Sequence, residues 1–168
     1  MIIKSYDLSK INLNEQNIIL FYGKNEGLKK SSILTLTKNL TEIYNYEEKE
    51  ILENSVSFLE SVLTKSLFED KKFIIIKRAT DKLIKIIEEI DSRKIKDNVF
   101  LFSAENLEKK SKLRSFFEKS KKNICVAFYP DNERELSNLA YSFFKERNIS
   151  ISPSNTNIII SKCSGDRE

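Results

Sequence analysis

Five short apolar runs punctuate a chain otherwise rich in Lys, Glu and Asn: Ile18–Tyr22, a weaker one near Tyr46–Lys49, Phe73–Lys77, Val99–Phe102 and Ile124–Phe128. Three are almost continuously apolar, the pattern of strands covered by helices on both faces. Between them apolar residues recur at helical spacing. A helix over Leu28–Tyr44 carries Ile33, Leu36, Leu40 and Tyr44 on one stripe, and one over Ile51–Leu63 turns Val56, Leu59, Val62 and Leu63 inward. "DKLIKIIEEI" groups Leu83, Ile86, Ile87 and Ile90, and "SKLRSFFEKS" is a shorter helix anchored by Leu113, Phe116 and Phe117. Strands alternating with helices predict an α/β fold built on a parallel sheet with right-handed crossovers. The expectation is five strands over residues 1–130, helices on both faces and the first strand in the interior.

After "YPDN" the pattern changes. Leu136, Leu139, Ala140, Phe143 and Phe144 fall at i, i+3, i+4, i+7 and i+8, an amphipathic helix. "SPSNTNIIISKC" opens another, with Ser152 or Ser154 as its cap. Residues 131–168 therefore read as the beginning of a separate helical lid, truncated before it builds a core of its own.

Composition narrows the chemistry. In 168 residues there are 29 Lys and Arg, 25 Asp and Glu, and no His. The charges are well mixed and Lys, Ile and Asn recur everywhere, so the net +4 is weak evidence for nucleic-acid binding. Without His, His-based triads and His metal sites are excluded. Cys125 and Cys163 form no CxxC pair; Cys125, inside "NICVAFY", reads as a buried, inert thiol. The start "MIIKSYDLSK" lacks the apolar core of a signal peptide, and no apolar run approaches the ~20 residues that span a bilayer, which predicts a cytoplasmic protein.

The most suggestive stretch is "LFYGKNEGLKKSSIL", an apolar strand, a glycine turn and a Lys- and Ser-rich helix. A phosphate-binding loop needs two glycines spaced so that backbone amides close on the phosphates, then a Lys and a Ser or Thr. Here Gly23 and Gly27 are one residue too close, Leu28 stands where the lysine belongs, and Lys29, Lys30, Ser31 and Ser32 follow too late. Glu26 sets a negative charge at the mouth. The third strand ends in Lys77, Arg78 and Ala79 where a metal-binding carboxylate is required, and the fourth offers Ser103, with Glu105 and Asn106 nearby. The expectation is a degenerate loop at Gly23 and Gly27 that binds no nucleotide, with no catalytic residue, metal or cofactor.

Several stretches together resemble the delta subunit of bacterial DNA polymerase III, the clamp-loader subunit that opens the sliding clamp. They are "FYGKNEGL", "TKSLFEDKKFIIIK" over Thr64–Lys77, "NLEKKSKLRSFFEK" centred on Lys112 and Leu113, and "SGDRE". The similarity runs through the chain in order and covers the first half of a full-length delta subunit. It implies an AAA+-type (P-loop NTPase-like) fold without ATP binding, and a clamp-binding element at Ser66, Leu67 and Phe68. Leu67 and Phe68 would insert into an apolar pocket of the clamp while Ser66 shapes the helix end that presents them. Lys65 departs from the apolar residue of some relatives. The implied partners are the sliding clamp (beta subunit), the gamma/tau and delta prime subunits through the missing C-terminal region, and DNA only within the assembled loader.

From the residues alone, Leu67 continues the stripe Leu59, Leu63, Leu67 and would belong to the core. Phe68, flanked by Lys65, Ser66, Glu69, Asp70, Lys71 and Lys72, suits an exposed aromatic anchor. Two rival functions remain at this point. One is a nucleotide-dependent enzyme; the other is a nucleic-acid-binding domain using Lys71, Lys72, Lys77 and Arg78, or Lys109, Lys110, Lys112 and Arg114.

Overall fold

The computed structural model describes residues 1–63, 72–95, 98–163 and Arg167. Six strands form one all-parallel sheet: β1 (Ile2–Lys4), β2 (Ile18–Gly23), β3 (Ile43–Glu47), β4 (Lys72–Lys77), β5 (Asn98–Ala104) and β6 (Ile124–Phe128). Their order is β1-β6-β2-β5-β4-β3, so the strand that leads into the glycine turn is interior, as its unbroken apolar run requires. Pairing β2 with β5 sets Tyr22 beside Ala104, and pairing β4 with β5 sets Lys77 beside Ser103.

The sheet buries both faces. On one, Phe21, Phe73, Ile75, Leu101, Val126 and Phe128 lie beneath α1 (Glu26–Thr37) and the segment carrying Leu8, Ile11 and Leu13. On the other, Leu20, Ile74, Ile76, Phe100 and Phe102 pack against α2 (Glu48–Glu53), α3 (Ser55–Leu63), α4 (Ile84–Ser92) and α5 (Lys112–Lys119). Leu83, Ile87 and Ile90, read as one stripe, are completely buried, and so are Leu113 and Phe117. Two further helices, α6 (Glu133–Glu146) and α7 (Pro153–Cys163), follow β6. Asn132 and Glu135 form a capping box at α6, and Ser152 rather than Ser154 caps α7 through the N–H of Asn155.

The structure corrects the pattern in four places. The sheet has six strands rather than five, because Ile2–Lys4 adds to the β6 edge; three residues are too short to show a period. The first helix ends at Thr37, and Tyr44 lies in β3, which begins earlier than the Tyr46–Lys49 run suggested. The predicted second helix is two, broken at Asn54 (φ −131°, ψ 45°). That break rotates α3, so Phe58 and Val62 are buried, the Phe58 ring meeting Tyr46 edge-on at 5.1 Å, while Val56 is 69% exposed. Among the described residues, no helix is long and apolar enough to cross a membrane.

Candidate functional site

The glycine turn sits at the C-terminal ends of the interior strands, where α/β sheets place their ligands. Gly23 has φ +131°, and a Cβ there would lie 2.1 Å from the carbonyl oxygen of Phe128. The backbone of β2 thus turns against the end of β6 in a conformation that only glycine adopts without strain. Substituting Gly23→Ala should cost about 1–3 kcal/mol from the backbone conformation alone, with the overlap adding to it. The check is thermal unfolding; an unchanged melting temperature would contradict this reading.

A loop that cradles phosphate must keep its N–H groups free and pointing inward. Here five of them are directed to the chain's own acceptors. Gly23 donates to Glu105 O at 3.1 Å, Asn25 to Phe128 O at 3.3 Å and Glu26 to Lys24 O at 3.0 Å. Leu28 N–H donates to the Asn25 Oδ1 cap at 3.0 Å, and Lys29 N–H to Asn25 O at 3.0 Å.

Lys29 was expected to come too late for the loop, and the structure corrects this. Counted from Gly23 instead of Gly27, Lys29 occupies the lysine position of a phosphate loop, and Leu28 replaces the second glycine. Its side chain is 2% exposed and returns to the end of β5, donating to Ala104 O at 2.7 Å. Burying an ammonium is costly unless it is paired, and Glu26, one turn back, meets it at 2.6 Å. Glu26 stands in the first turn of α1, where a negative charge is favoured by the helix end. A carboxylate of the chain therefore neutralises the lysine that a phosphate would otherwise engage.

A second carboxylate lies alongside. Asp131 accepts from Asn25 Nδ2 at 2.8 Å and from Arg167 Nε at 2.5 Å, and Arg167 Nη2 completes a two-pronged contact. Asp131 is 4% and Arg167 17% exposed in their side chains. Burial works to raise the Asp131 carboxyl, but the hydrogen bonds from Arg167 and Asn25 and the guanidinium charge outweigh it, holding the group below its ordinary range. A carboxyl held down in the folded state contributes stability that is full above the ordinary value of about 4 and is lost as pH falls through the lower folded value. Melting temperature followed from pH 7 towards pH 2 should therefore fall further for the wild type than for D131N, with the two curves converging in acid. Parallel curves would show that Asp131 carries no such linkage.

A groove of about 690 Å³ opens between α1 and the ends of β3, β4 and β5. At the end of β4, where phosphate chemistry requires a carboxylate, stand Lys77 and Arg78. Arg78 has φ +56°, and it meets Glu47 at 3.5 Å; Ser103 and Glu105 complete this rim. Among the described residues there is no group of three or more His, Cys, Asp or Glu placed to hold a metal ion.

No family model matches the chain, and no curated protein matches it. Solved structures do. The Bacillus subtilis DNA clamp loader delta protein superposes with a TM-score of 0.60 at 15% identity, covering 92% of this chain and 50% of that one. Thermotoga maritima RuvB superposes with a TM-score of 0.57 at 14% identity, covering 96% and 55%. The fold is of the AAA+ type. This chain spans about half the length of both neighbours.

Within this AAA+ frame the remaining candidates fall in different places. Ser66, Leu67 and Phe68, with Lys65, lie outside the described residues; α3 runs up to that segment and β4 follows it. Of the two candidate basic patches, Lys71 lies outside the described residues, and several of the other side chains have partners within the chain. Lys72 sits over the Tyr44 ring at 5.7 Å, and Lys110 pairs with Glu108 at 2.9 Å. Arg114 is committed to Glu118 at 2.8 Å, to Leu107 O at 3.1 Å and to the face of Tyr22 at 5.1 Å. Cys125 is buried as expected, and burial pushes its thiol up to about 12. The residues that sequence reasoning missed are Asn25, Asp131 and Arg167. Asn25 carried a cap signal just before the helix; the pairing of Asp131 with Arg167, 36 residues apart, had no local signal.

Proposed function

We propose that this chain is the N-terminal part of a non-catalytic clamp-loader subunit that binds the sliding clamp and favours its opened ring. The observation that carries the proposal is a glycine loop of the AAA+ frame in which five backbone amides and the buried Lys29 ammonium are committed to the chain's own groups. The likeness to a clamp loader delta protein over 92% of the chain supports it. In this reading residues 1–130 form the α/β domain that carries the clamp-binding element, and residues 131–168 begin the lid.

The clamp-binding element is Ser66, Leu67 and Phe68. In this reading Leu67 and Phe68 are the apolar anchors that enter the clamp, and Ser66 belongs to the same element. No bond is made or broken. The anchors move the ring equilibrium only by fitting the open clamp better than the closed one. The clamp (beta subunit) is the direct partner. The gamma/tau and delta prime subunits are the further partners of this reading, and DNA is met only inside the assembled loader.

The test is a clamp labelled with a fluorophore pair across one subunit interface. Adding this protein, without ATP, should lower energy transfer. Unchanged transfer together with measurable ATP turnover would favour the rival reading, a nucleotide-dependent enzyme.

A further inference from the structure

Both ends of the α6–α7 pair converge on the start of α1. Asp131 lies at the entry, directly before the Asn132 cap of α6, and Arg167 lies four residues beyond the last residue of α7. The two side chains meet over Asn25 and Gly27. We propose that Asn25, Asp131 and Arg167 form a latch that fastens the α6–α7 pair to the N-terminal end of α1, and that this latch, rather than a bound nucleotide, fixes how the pair sits.

Three features support the assignment. A two-pronged Arg–carboxylate contact is strong and directional, which suits fixing one element against another. Asp131 places a negative charge beside the N-terminus of α1, with Asn25, the helix cap, donating to the same carboxylate. An anion entering the loop would compete with Asp131 for that helix end and for Arg167. Finally, Gly27 is small for this contact: a Cβ there would lie 2.6 Å from the Arg167 Cβ. The glycine that looked like half of a phosphate loop instead makes room for the arginine. This proposal stands apart from clamp binding, because it concerns only how the helical pair is held.

Hydrogen exchange followed by mass spectrometry tests it, using R167Q and G27A. Their local chemistry is opposite. R167Q removes the charge, whereas G27A keeps every charge and favours helix α1, since Ala is a better helix former than Gly. Both should speed exchange of the α6 and α7 amides about tenfold or more, because opening the pair no longer has to break the ion pair. Strand amides of β2, β5 and β6 should stay as slow as in the wild type, and magnesium-ATP should leave the wild-type pattern unchanged. Unchanged α7 exchange in both variants would overturn the latch. So would equal acceleration of strands and helices, which marks a general loss of stability, or ATP slowing α7 exchange in the wild type.

Discussion

Replacing Leu67 and Phe68 together with alanine is expected to weaken clamp binding on the order of 10²–10⁴-fold while leaving the melting temperature nearly unchanged. Burying a Leu or Phe side chain contributes roughly 1.5–3 kcal/mol each, so the pair contributes about 3–6 kcal/mol, which converts to that range of affinity. The stability half of the expectation is the discriminating one. A wedge kept for a partner supports no core, whereas a pair continuing the Leu59–Leu63 stripe inward would. Calorimetric titration with the clamp and a thermal melt of the same variant settle both halves. A large fall in melting temperature assigns the pair to the core. A stable variant that still binds normally places the clamp contact elsewhere on the surface.

Phe117→Ala is the contrasting case and should cost about 3–5 kcal/mol. Phe117 is 0% exposed, with ring centroids 6.1 Å from Phe102 and 5.5 Å from Phe116. Alanine would leave a void between α5 and the centre of the sheet that these rings cannot close without leaving their own contacts. For a chain of this size each kcal/mol shifts the melting temperature by roughly 2–4 °C, so the fall should be plain in a single scan. A shift of only a degree or two would show that the α5 side of the sheet repacks freely. Set beside the Leu67/Phe68 variant, this substitution separates residues that hold the fold from residues reserved for a partner.

The sheet and its layers were legible because apolar period reports burial directly. Ile18–Tyr22 and Phe73–Lys77 are unbroken runs, and both became interior strands. Leu83, Ile86, Ile87 and Ile90 share a stripe, and all four are buried. The pattern failed where burial is partial or the segment is short. Ile43–Glu47 is an edge strand with mostly exposed residues, so the sequence showed it only as a weak run near Tyr46–Lys49 and its first residues were read with the helix before it. Val56 was misassigned because one broken turn at Asn54 resets the helical phase.

At the candidate site, the sequence revealed which chemical parts were out of place but not what replaced them. Reading the loop from Gly27 hid Lys29, because the second glycine of the usual spacing is here Leu28. Only the fold shows that Lys29 turns back to Ala104 and Glu26, and that Asp131 and Arg167 close over the same helix end. Long-range ion pairs leave no mark in local spacing, so this part of the site required the structure.

The proposed function rests on one binding event, and co-elution with the organism's own sliding clamp tests it most directly. The purified protein and the clamp, mixed at micromolar concentration without nucleotide and passed over a sizing column, should leave together in a peak absent from either alone. Separate elution at every concentration tried, with clamp and protein each folded, would contradict the proposed function.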